Sequence, residues 1–295
     1  MKLITGIEEM QRWSQTRRGE GKTLVFVPTM GAFHDGHLKL MEKGKGEGDL
    51  LLVSIFLNPA QFGSGEDWLS YPGDLDKDLR MAEDAGVDMV FTPSKEAMYP
   101  EGFQTCVVVK DVTQNLCGVS RPDHFKGVAT VVVKLFNIVM PHTAVFGEKD
   151  YQQLVVIKRM VKDLNLNIEI IGVPTVREKD GLAMSSRNSY LNKEERAAAA
   201  SLYSSLKIGM EMFVSGVRDS LRIIDGVRRR IEEEGLTEID YVKVCDPETI
   251  QEIDTIEDKA LLALAVKIGR ARLIDNCLLN REPLNYDNSK KFVGC

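Results

Sequence analysis

Along the first part of the chain, short apolar runs are separated by segments long enough to form helices. Residues 23–27 (TLVFV) and 50–57 (LLLVSIFL) are two such runs, and the stretch between them is polar and of helical length. That arrangement predicts a βαβ unit. Runs at 89–91, 106–109, 143–146 and 168–173 continue the alternation and predict a parallel sheet covered by helices. Residues 126–140 are rich in β-branched side chains, which favour a strand. Val128, Val131, Val132, Leu135 and Val139 nevertheless recur with the spacing of one helical face, and this periodicity predicts a helix. Gly44, Gly46 and Gly48 crowd the end of the first intervening helix, which is expected to stop near Gly44.

After Asn188 the pattern changes to two helical segments, 193–213 and 219–234. Strand-like runs follow at 241–245, 261–266 and 272–278. The expected organisation is a Rossmann-like α/β domain over residues 1–186, with helices on both faces of a parallel sheet. A smaller α+β C-terminal domain is expected over 187–295. A chain of 295 residues exceeds the size at which one core usually keeps growing, which agrees with two domains.

With 43% hydrophobic and 28% charged residues the chain has an ordinary globular composition. A net charge of −6 argues against a nucleic-acid partner, although a local basic pocket is compatible with it. No run approaches a membrane span, and the N-terminus MKLITGIEEM lacks a targeting pattern, so a cytoplasmic location is expected. Cys106, Cys117, Cys245, Cys277 and Cys295 form no CxxC pair and are odd in number. They read as reduced thiols rather than a disulfide or zinc framework.

Candidate chemistry lies where predicted strands end. Pro28-Thr29-Met30-Gly31-Ala32-Phe33-His34-Asp35-Gly36-His37 follows the first strong strand, where backbone N–H groups can point into an anion-binding crevice. His34 and His37 would face the same anion, and each imidazole can donate to a phosphate oxygen. A metal pair and plain surface histidines are the competing readings; four histidines without an HExxH favour neither zinc chemistry nor a metalloprotease. The Gly21-Lys22-Thr23 triplet precedes its strand and is no P-loop, and no GxGxxG stands at a strand end. Gln61, in the loop after the second strand, carries an amide able to hold a carboxylate and a hydroxyl, unless it is simply a solvated loop residue. Gly147, Lys149 and Asp150 form a strand-to-helix turn suited to close approach, phosphate and ribose, unless Asp150 merely caps its helix. Ser185, Ser186 and Arg187 can wrap outer phosphates, or form an ordinary loop.

The order PTMGxxHxGH, SIFxNPxQF, RPxHFxGVxT, FGxKDxQQL and VRExDGLxMSSRN resembles the pantothenate synthetase family, part of the nucleotidylyltransferase group. The resemblance implies an acid–amine ligase. ATP and pantoate would give pantoyl adenylate and pyrophosphate, and β-alanine would then give pantothenate and AMP. Mg²⁺ would be bound through the ATP phosphates, with no separate protein metal site. It implies an ATP site formed by Met30, Gly31, Ala32, Phe33, His34, Asp35, Gly36 and His37. Gly147, Glu148, Lys149, Asp150, Val176, Met184, Ser185, Ser186 and Arg187 would complete it. His37, His34, Lys149 and Arg187 would be catalytic, with His37 the proton donor. Gln61 and Gln153 would hold pantoate, Gln61 also β-alanine. A homodimer and a C-terminal domain acting as a lid are implied too. The chain departs from the family with Gly73 after Tyr71-Pro72, where Arg is usual, with Phe33 in place of Leu, and with the glycine cluster before Asp49. A related ligase using another acid, or a silent nucleotide- or RNA-binding module on the same fold, are the alternatives.

Overall fold

The computed structural model describes residues 1–63 and 65–280; Cys295 lies outside them. Among these residues, β1 (Lys2–Ile4) and α1 (Ile7–Gly19) lead into β2 (Leu24–Thr29), α2 (Asp35–Lys45) and β3 (Leu50–Ile55). Next come α3 (Leu75–Asp84), β4 (Met89–Phe91), α4 (Lys95–Met98), α5 (Cys117–Ser120) and α6 (His124–Val139). The chain continues through β5 (Thr143–Gly147), α7 (Tyr151–Asp163) and β6 (Glu169–Val173). These six strands pair in parallel in the order β1-β4-β3-β2-β5-β6.

Alternate residues of the central strands face opposite layers, as strand geometry requires. Leu24, Phe26, Leu52 and Phe146 pack with the α6 residues Val128, Val132, Leu135 and Phe136. Val25, Val27, Leu51 and Val53 pack on the other face with Met41 of α2 and Ala82 of α3. The sheet is covered on both faces, which explains the unbroken apolar runs. The helix read from periodicity at 126–140 is α6, and its predicted face is buried. Helix α2 ends at Lys45 with Gly46 as its cap, close to the expected stop. Gly44 is buried there: a Cβ would stand 2.9 Å from a Leu51 methyl.

Two local expectations differ. Residues 106–109 are not a strand. Apolar β-branched residues satisfy the local preference, yet a strand also needs a partner, and here the Val107 N–H instead donates to Thr130 Oγ1 at 2.9 Å. The helix expected over 193–213 is α8 (Lys193–Ala199) followed by α9 (Ser201–Val214), with Ala200 at the junction. Then α10 (Ser220–Glu232) precedes the antiparallel sheet β7 (Thr237–Cys245), β8 (Lys259–Ile268) and β9 (Ala271–Asn280).

One face of this small sheet packs on α9 and α10 through Leu262, Leu264, Leu202, Phe213 and Val227. The other, with Leu261 and Ala263, packs against Leu116, Cys117, Phe125 and Val156. That second contact brings β7 to β9 alongside the carboxyl ends of the parallel strands.

Candidate active site

The strand order reverses between β2 and β5, since β3 and β4 lie to one side and β6 to the other. In open α/β sheets, ligands occupy the crevice beyond the carboxyl ends of the strands at such a switch point. A cavity opens there, lined by Met30, His34, His37, Gln61, Lys149 and Arg187 among others.

His34 is the N-cap of α2. Its Nδ1 accepts from the Gly36 N–H at 3.1 Å, while Nδ1 of His37 accepts from the His34 N–H at 3.3 Å. The ring centroids lie 4.2 Å apart. Gly36 is required for this packing, because a Cβ would come within 2.8 Å of the His34 ring. Both Nδ1 atoms act as acceptors, so each neutral ring carries its proton on Nε2. Burial, then the Lys149 charge, lowers His34 to about 4. Burial, then His34 and Lys149, lowers His37 to about 3. At neutral pH the cavity therefore presents two uncharged imidazole N–H donors.

The anion-facing backbone expected of the Gly31-Ala32-Phe33 turn is not realised. The Asp78 carboxylate of α3 accepts from the Ala32 N–H at 2.8 Å and the Phe33 N–H at 2.7 Å. Gly31 and Ala32 adopt positive φ (84° and 55°) to make this turn, while Phe33 enters the core between sheet and α2. These three residues and Asp35 do not line the cavity; Met30, His34, Gly36 and His37 do.

The orientation of Gln61 follows from backbone contacts. Asn58 Oδ1 accepts from the Ala60 N–H at 3.3 Å, and its Nδ2 donates to the Gly127 carbonyl at 3.2 Å. The amide is thereby fixed one way round, and Nδ2 also donates to Gln61 Oε1 at 2.9 Å. Gln61 is left with its Nε2 end, 3.1 Å from Met30 Sδ, so it offers donors rather than an acceptor. The Gln61 carbonyl takes His124 Nδ1 at 2.9 Å and Arg121 Nη2 at 3.1 Å. Gly127 permits this approach of α6, since a Cβ there would meet the Ala60 carbonyl oxygen at 2.1 Å.

The consecutive glutamines of α7 differ in role. Gln152 is buried and structural: its Oε1 accepts from the Cys117 N–H, and its Nε2 donates to Val112 and Asn115 carbonyls. Gln153 lines the cavity and hydrogen-bonds no described residue through its side chain.

The turn after β5 places Gly147, Lys149 and Asp150 on the wall, whereas Glu148 is off it. The Glu148 side chain packs over Gly172. Asp150 is the N-cap residue of α7, yet its carboxylate bonds no helix N–H, so the capping alternative fails. A Cβ on Gly147 would meet nothing closer than Leu40 at 4.0 Å; the space above this glycine faces the cavity. Val176 also lines it, its carbonyl held by the Met184 N–H at 2.9 Å. Met184, Ser185, Ser186 and Arg187 follow on the same wall.

Arg187 is not free in this state. Its Nε and Nη2 each donate to Asp67 at 2.8 Å, and Tyr190 Oη donates to the same carboxylate at 3.1 Å. Burial works to raise Asp67, and the Arg187 fork prevails and holds it below its ordinary value. Glu66, next to it, binds Arg121 at 2.6 and 2.5 Å, and Tyr71 Oη reaches Ser186 Oγ at 3.4 Å. The segment from Glu66 to Tyr71 is thus fastened to Arg121, Ser186 and Arg187 of the cavity wall. Gly73, just beyond, has nothing within 4 Å of an added Cβ, so the departure from Arg falls at an open position.

Sequence reasoning assigned no role to Asn58, Asp67, Asp78 or Asn276. Only Asn58 had a local signal, an amide preceding Pro59 and three residues from Gln61. Among the described residues no group of three His, Cys, Asp or Glu side chains is arranged to hold a metal, and Cys106, Cys117, Cys245 and Cys277 are unpaired. No described helix is long and apolar enough to cross a membrane.

Comparison with known proteins gives a consistent picture. A family model described as Pantoate-beta-alanine ligase matches residues 2–278. A pantothenate synthetase of Syntrophus aciditrophicus is 52% identical over 282 residues, covering 96% of this chain and 99% of that protein. The crystal structure of pantothenate synthetase from Thermus thermophilus superimposes with a TM-score of 0.89 at 42% identity, covering 96% of this chain and 100% of the other. Pantoate-beta-alanine ligase from Francisella tularensis, complexed with beta-gamma ATP and beta-alanine, gives a TM-score of 0.78 at 34% identity, covering 94% of this chain and 97% of that one.

Proposed function

The chain belongs to the pantoate-beta-alanine ligase family, and from that premise we propose that it joins pantoate to β-alanine through a pantoyl adenylate, as an ATP-dependent ligase of pantothenate biosynthesis. A pantoate carboxylate oxygen attacks the α-phosphorus of ATP, the bond to the β-phosphate oxygen breaks, and pyrophosphate leaves. The β-alanine amine then attacks the acyl carbon. The acyl–phosphate bond breaks, giving the amide and AMP, and the amine gives up a proton.

The observation that carries this reading is the set of donors converging on one cavity at the switch point. Neutral Nε2–H groups of His34 and His37, with the Lys149 ammonium, suit an oxygen whose charge grows as pyrophosphate leaves. The low basicity of His37 favours hydrogen-bond donation over outright proton transfer. Gln61 offers N–H donors suited to a carboxylate, and Gln153 an unengaged amide for the hydroxyls of pantoate. Gly147, Asp150 and Val176 suit ribose and base, and Ser185, Ser186 and Arg187 the outer phosphates once Asp67 yields.

A magnesium ion would enter on the ATP phosphates, with oxygen ligands from the substrate. When bound, it neutralises phosphate charge. We extend the proposal to residues 187–295 as a domain closing on the nucleotide. Tyr241, Arg272 and Asn276 on its strands already border the cavity. A cytoplasmic homodimer completes the reading, with sedimentation velocity as the check on its mass.

Pantoate-dependent exchange of labelled pyrophosphate into ATP, without β-alanine, tests the function. Exchange with pantoate, and AMP release on adding β-alanine, are expected. Exchange with other small acids but not with pantoate overturns the proposal.

A further inference from the structure

Asn276 belongs to β9, yet its side chain crosses to the turn after β5. Its Nδ2 donates to the Glu148 carbonyl at 3.0 Å and the Lys149 carbonyl at 2.9 Å, so both hydrogens of one amide grip successive residues of that turn. Asn276 is 8% exposed. The preceding Asp275 accepts the Asn276 N–H at 2.8 Å and the Arg177 fork at 2.6 and 3.0 Å. The backbone bearing the amide is therefore itself tied to the residue after Val176.

At the other end of Lys149 nothing comparable exists. Its ammonium makes no hydrogen bond to a described residue, and the Asp150 carboxylate is 3.9 Å away. The direction in which this side chain enters the cavity is consequently set at its base. We propose that Asn276 is a positioning residue for adenylate formation, clamping the Glu148–Lys149 backbone so that the Lys149 ammonium meets the phosphates. This rests on the assignment of Lys149 to the nucleotide phosphates made above. The clamp is separable from the docking of the small sheet. An apolar seam of Leu116, Phe125, Val156, Leu261 and Ala263, with Ser120 donating to Asp240 and Arg272 to Cys117 Sγ, holds that sheet in place.

The test is rapid-quench measurement of adenylate formation in Asn276→Ala and Asn276→Ser, followed by a β-alanine chase. In the Ala variant adenylation should fall about ten- to 100-fold, the scale of a small displacement of a catalytic group. The β-alanine step and the KM for pantoate should stay within about twofold, because neither depends on a contact made only to the leaving phosphates. Ser, retaining one donor, should recover part of the loss, and it replaces Ala as the decisive variant if Ala fails to fold. In a Lys149→Met background Asn276→Ala should cost little more, the non-additivity of groups acting as a unit. Adenylation within about twofold of the parent in the folded variants, equal losses in both half-reactions, or multiplying losses in the double variant would overturn the inference. A parent protein that forms no adenylate from pantoate is a different result: it overturns the proposed function, and the inference with it.

Discussion

Replacing Gln61 with Glu isolates one hydrogen-bond donor with almost no change of shape. Asn58 has its amide fixed by the Ala60 N–H and the Gly127 carbonyl, so its Nδ2 must donate to whatever oxygen Gln61 offers. A glutamate keeps that oxygen. It exchanges only the Nε2 end, beside Met30 Sδ, for a second carboxylate oxygen. If pantoate places its carboxylate there, a hydrogen bond to a charged group worth about 1.5 to 3 kcal/mol is lost. At ~1.4 kcal/mol per factor of ten, that is about a ten- to 150-fold fall in kcat/KM for pantoate, deepened by like-charge repulsion. Initial rates of pyrophosphate release, at about pH 8 where a glutamate is ionised, should show this loss with KM for ATP within about twofold of the parent. A fall of less than about threefold, with the variant folded, would refute the assignment of the Gln61 donor to pantoate.

Lys149 and Arg187 should respond differently to replacement by Met. Both changes should slow adenylation. Lys149→Met should leave the melting temperature near the parent value, since its ammonium has only a loose 3.9 Å ion pair with the half-exposed Asp150, while Arg187→Met strands Asp67 beneath Tyr190. Even discounted for partial exposure, that loss of about 1 kcal/mol or more should lower the melting point by about 2 to 4 °C per kcal/mol; equal melting points would contradict the clasp. Acid stability offers a third check. His34, His37 and His124 sit at about 4, about 3 and about 4 in the fold, mainly through burial, against ~6.5 when unfolded. The unfolded chain binds more protons in that window, so stability is lost as pH falls below about 6.5, by up to ~1.4 kcal/mol per pH unit for each fully buried imidazole. Thermal melts without ligand should fall from near pH 6.5, above the carboxylate range; a flat profile to about pH 5 would refute the neutral assignment.

Features written locally were legible in the sequence. The runs that became β2 and β3 are buried on both faces and so are apolar throughout, and the face of α6 repeats with helical spacing despite its valines. The cavity residues announced themselves through their place at strand ends. Features that depend on distant partners were not legible. Residues 106–109 have strand-like composition but no ladder, and the three-residue β1 is too short to show a pattern. The N–H groups of Ala32 and Phe33 were expected to meet an anion, and they do meet one, but it is Asp78 from α3. Arg187 finds Asp67 and Lys149 finds Asn276 by contacts of the same long-range kind.

The depressed basicity of the two histidines bears on how such a site can be fast. Were His34 and His37 cationic beside Lys149, the empty cavity would hold concentrated like charge, and ATP would gain as much attraction on binding as during reaction. Binding ground state and transition state equally lowers KM without raising kcat. Neutral imidazoles with Nε2–H pointing outward avoid that. In the proposed reaction their hydrogen bonds would strengthen as negative charge moves onto the departing oxygen, with no solvent reorganisation at that moment. Arg187 is held by other means, because the Asp67 carboxylate occupies its fork, and in the proposed reaction phosphate would compete for it. On the proposed assignment the phosphates must displace a bidentate partner, which offsets part of the attraction gained on binding. The family's chemistry needs alignment and well-timed charge stabilisation rather than a nucleophilic side chain, and in the proposed reaction the neutral imidazole donors would gain strength as the bond to pyrophosphate breaks.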